Sequence, residues 1–241
     1  MRTISSPNNE YVKALAKLHE KKHRDQERMF LVEGYHLVGE AKEARVLKQV
    51  LITDEKDFVE GVENVLVGEE VIRKLALTMT PQPIIGVCGY LPEHELSGRR
   101  ILLLDDLQDP GNLGTIVRSS LGFGIDMLVF GSSAVDPYND KFIRATQGAV
   151  FKTRILKMDL LSAIEKIKKE GIPVIGTALN GKPLREVPRM GSYALVLGNE
   201  GRGINPAILE ATDFNVTVEI RPELESLNVA VAAGIIMHHL D

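Results

Sequence analysis

Five polar side chains that could do chemistry lie in three glycine-rich segments of the chain. They are Asn112, Arg118, Glu200, Ser226 and Asn228. The segments are LLLDDLQDPGNLGTIVRSS (residues 102–120), LVLGNEGRGI (195–204) and EIRPELESLNVAVAAG (219–234). Each begins as an apolar strand and then breaks into a polar loop. Because ligands of an open α/β sheet bind beyond the carboxyl ends of the strands, the three segments predict one composite site.

Each of these side chains also has a purely structural interpretation. Asn112 could cap the helix that follows it. The apolar stripe of that helix consists of Leu113, Ile116, Val117 and Leu121. Arg118 lies off this stripe and could be a solvated surface residue. Ser226 and Asn228 are both good caps, although only one of them can fill that role. The glycines around Glu200 could form a flexible loop between a strand and a helix.

The composition of the chain excludes several classes of protein. Its 241 residues are 44% hydrophobic and 26% charged, which is typical of a soluble globular protein. The net charge of −4 gives no global nucleic-acid signal. Cys88 is the only cysteine, so an intrachain disulfide and a cysteine-rich metal site are excluded, and no metal is expected.

The start of the sequence and its apolar runs give no sign of a signal peptide or of a membrane span. The start, MRTISSPNNEYVKAL, is too polar for a signal peptide. No apolar run is long enough to span a bilayer. These features predict a cytoplasmic protein.

The chain divides near residue 96, in the polar stretch YLPEHELSGRR. Residues 1–95 predict a small α/β unit that opens with a basic helix over 11–22 and closes with the strand IIGVCGYL. Residues 96–241 predict a parallel sheet covered by helices on both faces. Its predicted strands are ILLLDD, DMLVFG, TRILKM, PVIGTAL, YALVLG and FNVTVEI.

The C-terminal helix is apolar on two sides. One stripe consists of Val229, Ala232, Ala233, Ile236 and Leu240, and the other of Val231, Gly234 and Ile235. Such a helix is either deeply buried or half of an oligomer interface, and we favour a dimer interface.

Together, the three segments resemble the three motifs of the SpoU-type (TrmH-like) RNA 2′-O-ribose methyltransferases, a family of the SPOUT superfamily. The first resembles N-x-G-x-x-x-R at Asn112, Gly114 and Arg118. The second resembles LG-x-EG-x-G over 197–203, and the third resembles ESLNVAVA over 225–232. KFIRATQGA (141–149) is a lesser match, so that the resemblance covers residues 99–241. RDQERMFLVEGYHLVGEA (24–41) is similar to the start of an L30e-like substrate domain.

The resemblance implies a fold, a cofactor and an assembly. The fold is a SPOUT-type parallel sheet with a C-terminal deep trefoil knot, preceded by a small L30e-like α/β domain. Residues 1–95 would then bind RNA, residues 96–241 would be catalytic, and the protein would be a homodimer. The implied cofactor is S-adenosyl-L-methionine, held by Thr177, Ala178, Leu197, Gly198, Gly201, Ile220, Leu227 and Asn228. The family often has IPM-x-G before the third motif, whereas here Ile220 is followed by Arg221 and Pro222.

The implied reaction is methyl transfer to a ribose 2′-hydroxyl of RNA, with ribosomal RNA favoured over tRNA. Arg118 matches the residue that activates the hydroxyl. Free arginine keeps its proton up to a pKa of about 12.5–13.8. Arg118 therefore acts either as a base in a strongly perturbed environment or by orienting the hydroxyl and a phosphate and stabilising the oxyanion. Asn112, Glu200, Ser226 and Asn228 complete the implied catalytic set, with Glu200 as the partner of Arg118.

Contacts with RNA phosphates are expected from basic side chains outside this set. They are Lys13, Lys17, Lys21, Lys22, Arg24, Arg28 and Arg144. For any one of the residues in the N-terminal group, a solvated helix face is the alternative.

Three other functions stay open from the sequence. The first is a tRNA 2′-O-methyltransferase. The second is a catalytically silent RNA-binding protein, which should have lost Asn112 or Arg118, although both are present. The third is a nucleotide-dependent oxidoreductase, against which the missing G-x-G-x-x-G fingerprint argues.

Overall fold

A computed structural model describes residues 1–76 and 78–241 of the chain. The strands in these ranges are β1 Arg2–Ile4, β2 Met29–Glu33, β3 Leu47–Ile52, β4 Glu63–Val67, β5 Ile84–Gly89, β6 Arg100–Leu104, β7 Met127–Phe130, β8 Ile155–Lys157, β9 Val174–Pro183, β10 Tyr193–Leu197 and β11 Phe214–Thr217. The helices are α1 Glu10–Ala16, α2 Lys21–Glu27, α3 Tyr35–Glu43, α4 Glu69–Leu75, α5 Pro110–Gly122, α6 Asp140–Ala145, α7 Leu160–Lys169, α8 Pro206–Glu210 and α9 Val229–Leu240. None of them is long and apolar enough to cross a membrane.

The chain forms two compact units. Residues 1–92 and 136–151 form the first unit, and residues 93–135 and 152–241 form the second. The division into functional domains at residue 95/96 stays a prediction. The contacts depart from it at 136–151, which lies in the later half of the sequence but packs with the first unit.

The first unit is built on a five-stranded mixed sheet in the order β1-β4-β3-β5-β2. Strand β5 pairs antiparallel with both of its neighbours, and the remaining pairs are parallel. The predicted basic helix over 11–22 is interrupted, because a 3-10 turn at Lys17–His19 separates α1 from α2.

The segment 136–151 is held to the first unit by a buried ion pair and by ring stacking. Arg24 donates to Asp136 at 2.7 Å. The ring of Tyr138 stacks on Tyr90 with centroids 3.6 Å apart, and its hydroxyl accepts from the amide of Leu91 at 3.1 Å. These partners are far apart in sequence, so local patterns could not reveal them.

The second unit contains a six-stranded parallel sheet in the order β11-β9-β10-β6-β7-β8. All six predicted strands are present, and the predicted parallel α/β class is confirmed. Three of them, β6, β7 and β10, are buried along most of their length, because helices cover both faces of such a sheet. The chain runs from β6 through β7 to β8 and then continues on the other side of β6. The topological switch point therefore lies between the neighbouring strands β6 and β10. In open α/β sheets, ligands bind at the carboxyl ends of the strands at this point.

Helices α5 and α9 lie side by side and run in the same direction. Asn228 bonds Asn112 near their amino ends, while the rings of His238 and Phe123 lie 5.7 Å apart near their carboxyl ends. The packing buries Ala233, Ile236 and Leu240 of the first predicted stripe, together with Ala230 and Met237.

Apolar side chains of both helices stay exposed. Val231 and Ile235, from the second predicted stripe of α9, are 51% and 39% exposed. Leu121, predicted to belong to the apolar stripe of α5, is 42% exposed, and Ser120 is buried instead. The buried face of α5 therefore includes Ser120 in place of the predicted Leu121.

Candidate active site

The first polar segment turns at the carboxyl end of β6. The side chain of Asp109 accepts from the amide of Asn112 at 2.7 Å, and Pro110 occupies the first turn of α5. Asp109 is therefore the N-cap, and the alternative that Asn112 caps this helix is wrong. The side chain of Asn112 is thus available to other segments.

The second segment forms a closed loop at the carboxyl end of β10, the Glu200 loop (residues 198–204). Its ends are joined by a pair of backbone hydrogen bonds between Asn199 and Gly203, of 3.0 and 2.9 Å. A Cβ atom at Gly198 would lie 2.3 Å from the backbone of Gly203 and Ile204, so only glycine fits there. The loop is consequently an ordered structure, contrary to the flexible-loop interpretation.

The three polar segments meet in a chain of side-chain hydrogen bonds. Asn112 donates from Nδ2 to Oε1 of Glu200 at 3.2 Å. Asn228 donates from Nδ2 to Oδ1 of Asn112 at 2.8 Å. The Oδ1 atom of Asn228 also accepts from the amides of Ala230 and Val231, so Asn228 is the N-cap of α9. We call Asn112, Glu200 and Asn228 the polar cluster.

Arg118 and Ser226 lie outside the hydrogen bonds of the polar cluster. Arg118 is six residues beyond Asn112 on α5, which places it about 9 Å along the axis and roughly 240° around it. Its side chain is exposed and forms no ion pair with Glu200 within the described residues. The predicted Arg118–Glu200 pair is therefore not made inside one chain, where Asn112 bonds Glu200 instead. Ser226 is exposed and makes no side-chain hydrogen bond in the described ranges.

The residues predicted to hold a cofactor lie in the middle of β9, at the end of β10 and in the Glu200 loop that follows it, and in the segment before α9. Thr177 donates to the carbonyl of Val196 at 3.1 Å, next to Leu197. The register of β9 against β11 shifts, because the partners of consecutive β11 residues are Gly176 and Lys182. Residues 177–181 therefore bulge out of this pairing, and they include Thr177 and Ala178. Ile220 and Leu227 are half-buried.

Sequence reasoning missed the residues that hold the Glu200 loop. The Nδ2 atom of Asn199 donates to the carbonyl of Asp106 at 2.8 Å, while its Oδ1 accepts from two amides inside the loop. Asp105 accepts from the amide of Asn205 at 2.6 Å. The signal available in the sequence was the pair of aspartates that directly follows the buried run LLL.

The basic residues of the first unit differ in their exposure. Arg24 is only 5% exposed and donates to the carbonyls of Leu18 and His19 as well as to Asp136. The expectation that Arg24 contacts a phosphate is therefore wrong for this structure, because its charge is buried and paired.

The other predicted phosphate contacts lie at or near the surface. Lys17 and Lys22 are exposed. Lys13 and Lys21 pair with Glu10 and Asp25, Arg28 lies 4.8 Å over the ring of Tyr90, and Arg144 pairs with Asp140 at 3.0 Å. In residues 1–76 and 78–241, no group of three His, Cys, Asp or Glu side chains is placed to hold a metal ion.

Comparison with known proteins identifies the family. The family model described as "SpoU rRNA Methylase family" matches residues 99–238, and the one described as "MRM3-like substrate binding domain" matches residues 9–86. The chain is 42% identical to the 23S rRNA (guanosine(2553)-2′-O)-methyltransferase RlmP of Bacillus subtilis, over 100% of this chain and 99% of that protein.

Solved structures share the fold over nearly the whole chain. A TrmH-family protein from Porphyromonas gingivalis has a TM-score of 0.89 at 32% identity, with 97% of each chain covered. An AdoMet-bound rRNA methyltransferase from Sinorhizobium meliloti has a TM-score of 0.89 at 27% identity, covering 99% of this chain and 97% of that one. The predicted family resemblance is confirmed, and the chain belongs to the SpoU rRNA methylase family.

Proposed function

We propose that this protein transfers a methyl group from S-adenosyl-L-methionine to a ribose 2′-hydroxyl of ribosomal RNA. The observation that carries the proposal is the polar cluster, in which Asn112 bonds both Glu200 and Asn228 beside the switch point of the sheet. The names of the relatives support the same reaction class, since RlmP is named a 23S rRNA 2′-O-methyltransferase.

The middle of β9, the loop after β10 and the segment before α9 fit the proposed cofactor. Gly198 and Gly201 present backbone without side chains, and Ile220 and Leu227 supply half-buried apolar surface. We assign the cofactor to these residues together with Thr177, Ala178, Leu197 and Asn228. When bound, the cofactor supplies an electrophilic methyl group on a sulfonium. The chain's own part is to hold the attacking oxygen in line with it, because positioning contributes much of the rate of such a displacement.

The polar cluster and Arg118 are proposed to act on the ribose. Two hydrogen bonds fix the side-chain amide of Asn112, so its orientation toward a bound ribose is defined. The side chain of Arg118 is exposed. As a neutral guanidine it would take the proton of the hydroxyl, whereas as a guanidinium it would orient the hydroxyl with a phosphate and stabilise the developing oxyanion. Ser226 lies two residues before Asn228 and is proposed to contact the ribose.

RNA binding is proposed to involve the first unit. Lys13, Lys17, Lys21, Lys22 and Arg28 are exposed and can contact phosphates, which position RNA without specifying its sequence. Arg144 is a further candidate. We propose that residues 1–95 form the L30e-like substrate domain. The reaction needs a 2′-hydroxyl, which distinguishes RNA from DNA.

The remaining parts of the proposal concern assembly and topology. We propose a homodimer that covers the exposed apolar residues of α5 and α9, namely Leu121, Val231 and Ile235. A deep trefoil knot in the second unit and a cytoplasmic location belong to the same proposal. A dimer that covers α5 would bring the Arg118 face of one chain toward its partner.

The reaction is tested by methyl transfer from labelled S-adenosyl-L-methionine into purified rRNA and, in parallel, tRNA. A 2′-O-methyl group blocks alkaline cleavage at its nucleotide, because the 2′-hydroxyl is the group that attacks the phosphate. We expect label in rRNA that survives alkali as a dinucleotide, and loss of about 10² to 10³ in rate for Arg118→Ala.

Other outcomes would replace the proposal with one of its alternatives. Label in tRNA alone would identify a tRNA methyltransferase. Label that alkali releases as mononucleotides would place the methyl group on a base. RNA binding with no transfer to either RNA would identify a binding protein without catalysis.

A further inference from the structure

We infer that Asp106 is a positioning residue that fixes the Glu200 loop, and with it Glu200, for the reaction. The inference rests on the proposed function. Asp106 lies in the first polar segment (residues 102–120), but outside its N-x-G-x-x-x-R motif and outside the predicted catalytic set. Its role follows from its backbone conformation and from the groups that its two carboxylate oxygens hold.

The backbone of Asp106 adopts a conformation that few residues adopt. Its φ angle is +53°, in the left-handed region, where aspartate and asparagine are enriched among non-glycine residues. This turn directs the chain away from β6 immediately after Asp105. It also aims the carbonyl of Asp106 at the side-chain amide of Asn199, 2.8 Å away.

The side chain of Asp106 holds two different segments. One carboxylate oxygen accepts from the guanidinium of Arg202, which lies in the Glu200 loop. The other accepts from Gln108 at 2.6 Å, and Gln108 also donates to the carbonyl of Ser133 at 2.7 Å. The side chain of Asp106 is largely covered at 22% exposed, whereas that of Arg202 is 79% exposed, so solvent screens their ion pair. The covered carboxylate, held by Gln108, is the fixed partner of the two.

The segment 105–109 holds both ends of the hydrogen bond between Glu200 and Asn112, through Asp106 at one end and Asp109 at the other. Glu200 lies between Asn199 and Arg202, and both of these bond Asp106. Asn112 is fixed by Asp109, three residues beyond Asp106 in the same turn. The segment 105–109 therefore sets where the first and second polar segments meet, and the carboxylate of Asp106 is its link to the loop.

The test separates the carboxylate from the backbone conformation. Asp106→Gly keeps access to a positive φ and removes the side chain, whereas Asp106→Asn keeps the backbone preference and an acceptor oxygen. The matched control is Glu165→Ala, which removes an exposed ion pair with Lys169 on α7. Readouts are amide hydrogen exchange over 198–204, the Kd for S-adenosyl-L-methionine, and kcat and KM for methyl transfer.

We expect faster exchange confined to the Glu200 loop in Asp106→Gly, with a fall in kcat/KM of about 10²-fold from misplaced groups. Asp106→Asn should show a smaller change in the same direction and carries the test if the glycine variant fails to fold. Exchange and kinetics equal to wild type in both variants would overturn the inference.

The failure of the proposed function gives a different result. If the wild type neither binds S-adenosyl-L-methionine nor transfers a methyl group, the proposed function is wrong. The hydrogen exchange of residues 198–204 then decides by itself whether Asp106 fixes the loop.

Discussion

The polar side chains of the candidate site form hydrogen bonds with residues that are far away in the sequence. Asn112 illustrates this, since its amide joins Glu200 and Asn228, which lie in the two later polar segments. The residue types at these positions could be read from the sequence, but their bonding could not. For Arg24 the residue type was misleading. It was expected to contact RNA, but its side chain is buried and forms an ion pair with Asp136.

His19 should make the stability of the protein depend on pH. Burial lowers the pKa of His19 below 6.5, assisted by Arg24 and opposed by Asp140. The unfolded chain takes up a proton near pH 6.5 while the folded chain resists it, so the free energy of unfolding should fall as the pH drops through that value. His19→Gln should flatten this dependence in urea unfolding measured from pH 7.5 to 5.

The control for this measurement is His94→Gln, a histidine in the stretch between β5 and β6. It should leave the pH dependence as in the wild type. Identical pH slopes for wild type and His19→Gln would show that the environment of His19 has been misjudged.

The sequence predicted the strands of the second unit better than those of the first. Long apolar runs such as ILLLDD and YALVLG identify buried parallel strands, because both faces of each strand are covered. The three-residue strand β1 was missed, since Arg2–Ile4 has no apolar pattern of its own. The packing of 136–151 on the first unit was also missed, because its cause is tertiary, in contacts such as Tyr138 on Tyr90.

The junction of β10 with the Glu200 loop should tolerate no side chain at its first position. Gly198→Ala would place a methyl group 2.3 Å from the backbone of Gly203 and Ile204. We expect a loss of about 1–3 kcal/mol in the free energy of unfolding, from overpacking against backbone that cannot rotate away. Urea unfolding measures it, with Gly122→Ala as the control, because no atom lies within 4 Å of the added Cβ. A Gly198→Ala variant as stable as this control would refute the close approach.

The proposed homodimer is the main expectation that goes beyond a single chain. The C-terminal helix was predicted to have two apolar faces, and α9 buries one of them against α5 while Val231 and Ile235 stay exposed. Arg118 lies on α5 away from the polar cluster of its own chain. A homodimer through these helices would explain both features together.

Ile235→Asp should therefore convert the protein to a monomer, because it places a charge in the proposed apolar interface. Sedimentation equilibrium should give twice the chain mass for the wild type and a single chain mass for the variant. Leu161→Asp is the matched control, since Leu161 is exposed to a similar extent on α7. A wild type that sediments as a monomer would contradict the proposed interface.

We propose that the three polar segments form one site for ribose methylation. The decisive experiment compares the rate of alkali-resistant methyl incorporation into rRNA by Asn112→Ala with that by Thr115→Ala, on the same helix. Thr115 is exposed, and its hydroxyl donates to the carbonyl of Gly111 one turn earlier. We predict a loss of about 10² to 10³ for Asn112→Ala, the range found when one positioned donor is removed, and a nearly unchanged rate for Thr115→Ala. Equal rates for Asn112→Ala and wild type would contradict the claim, because the residue that joins the three segments would then be dispensable.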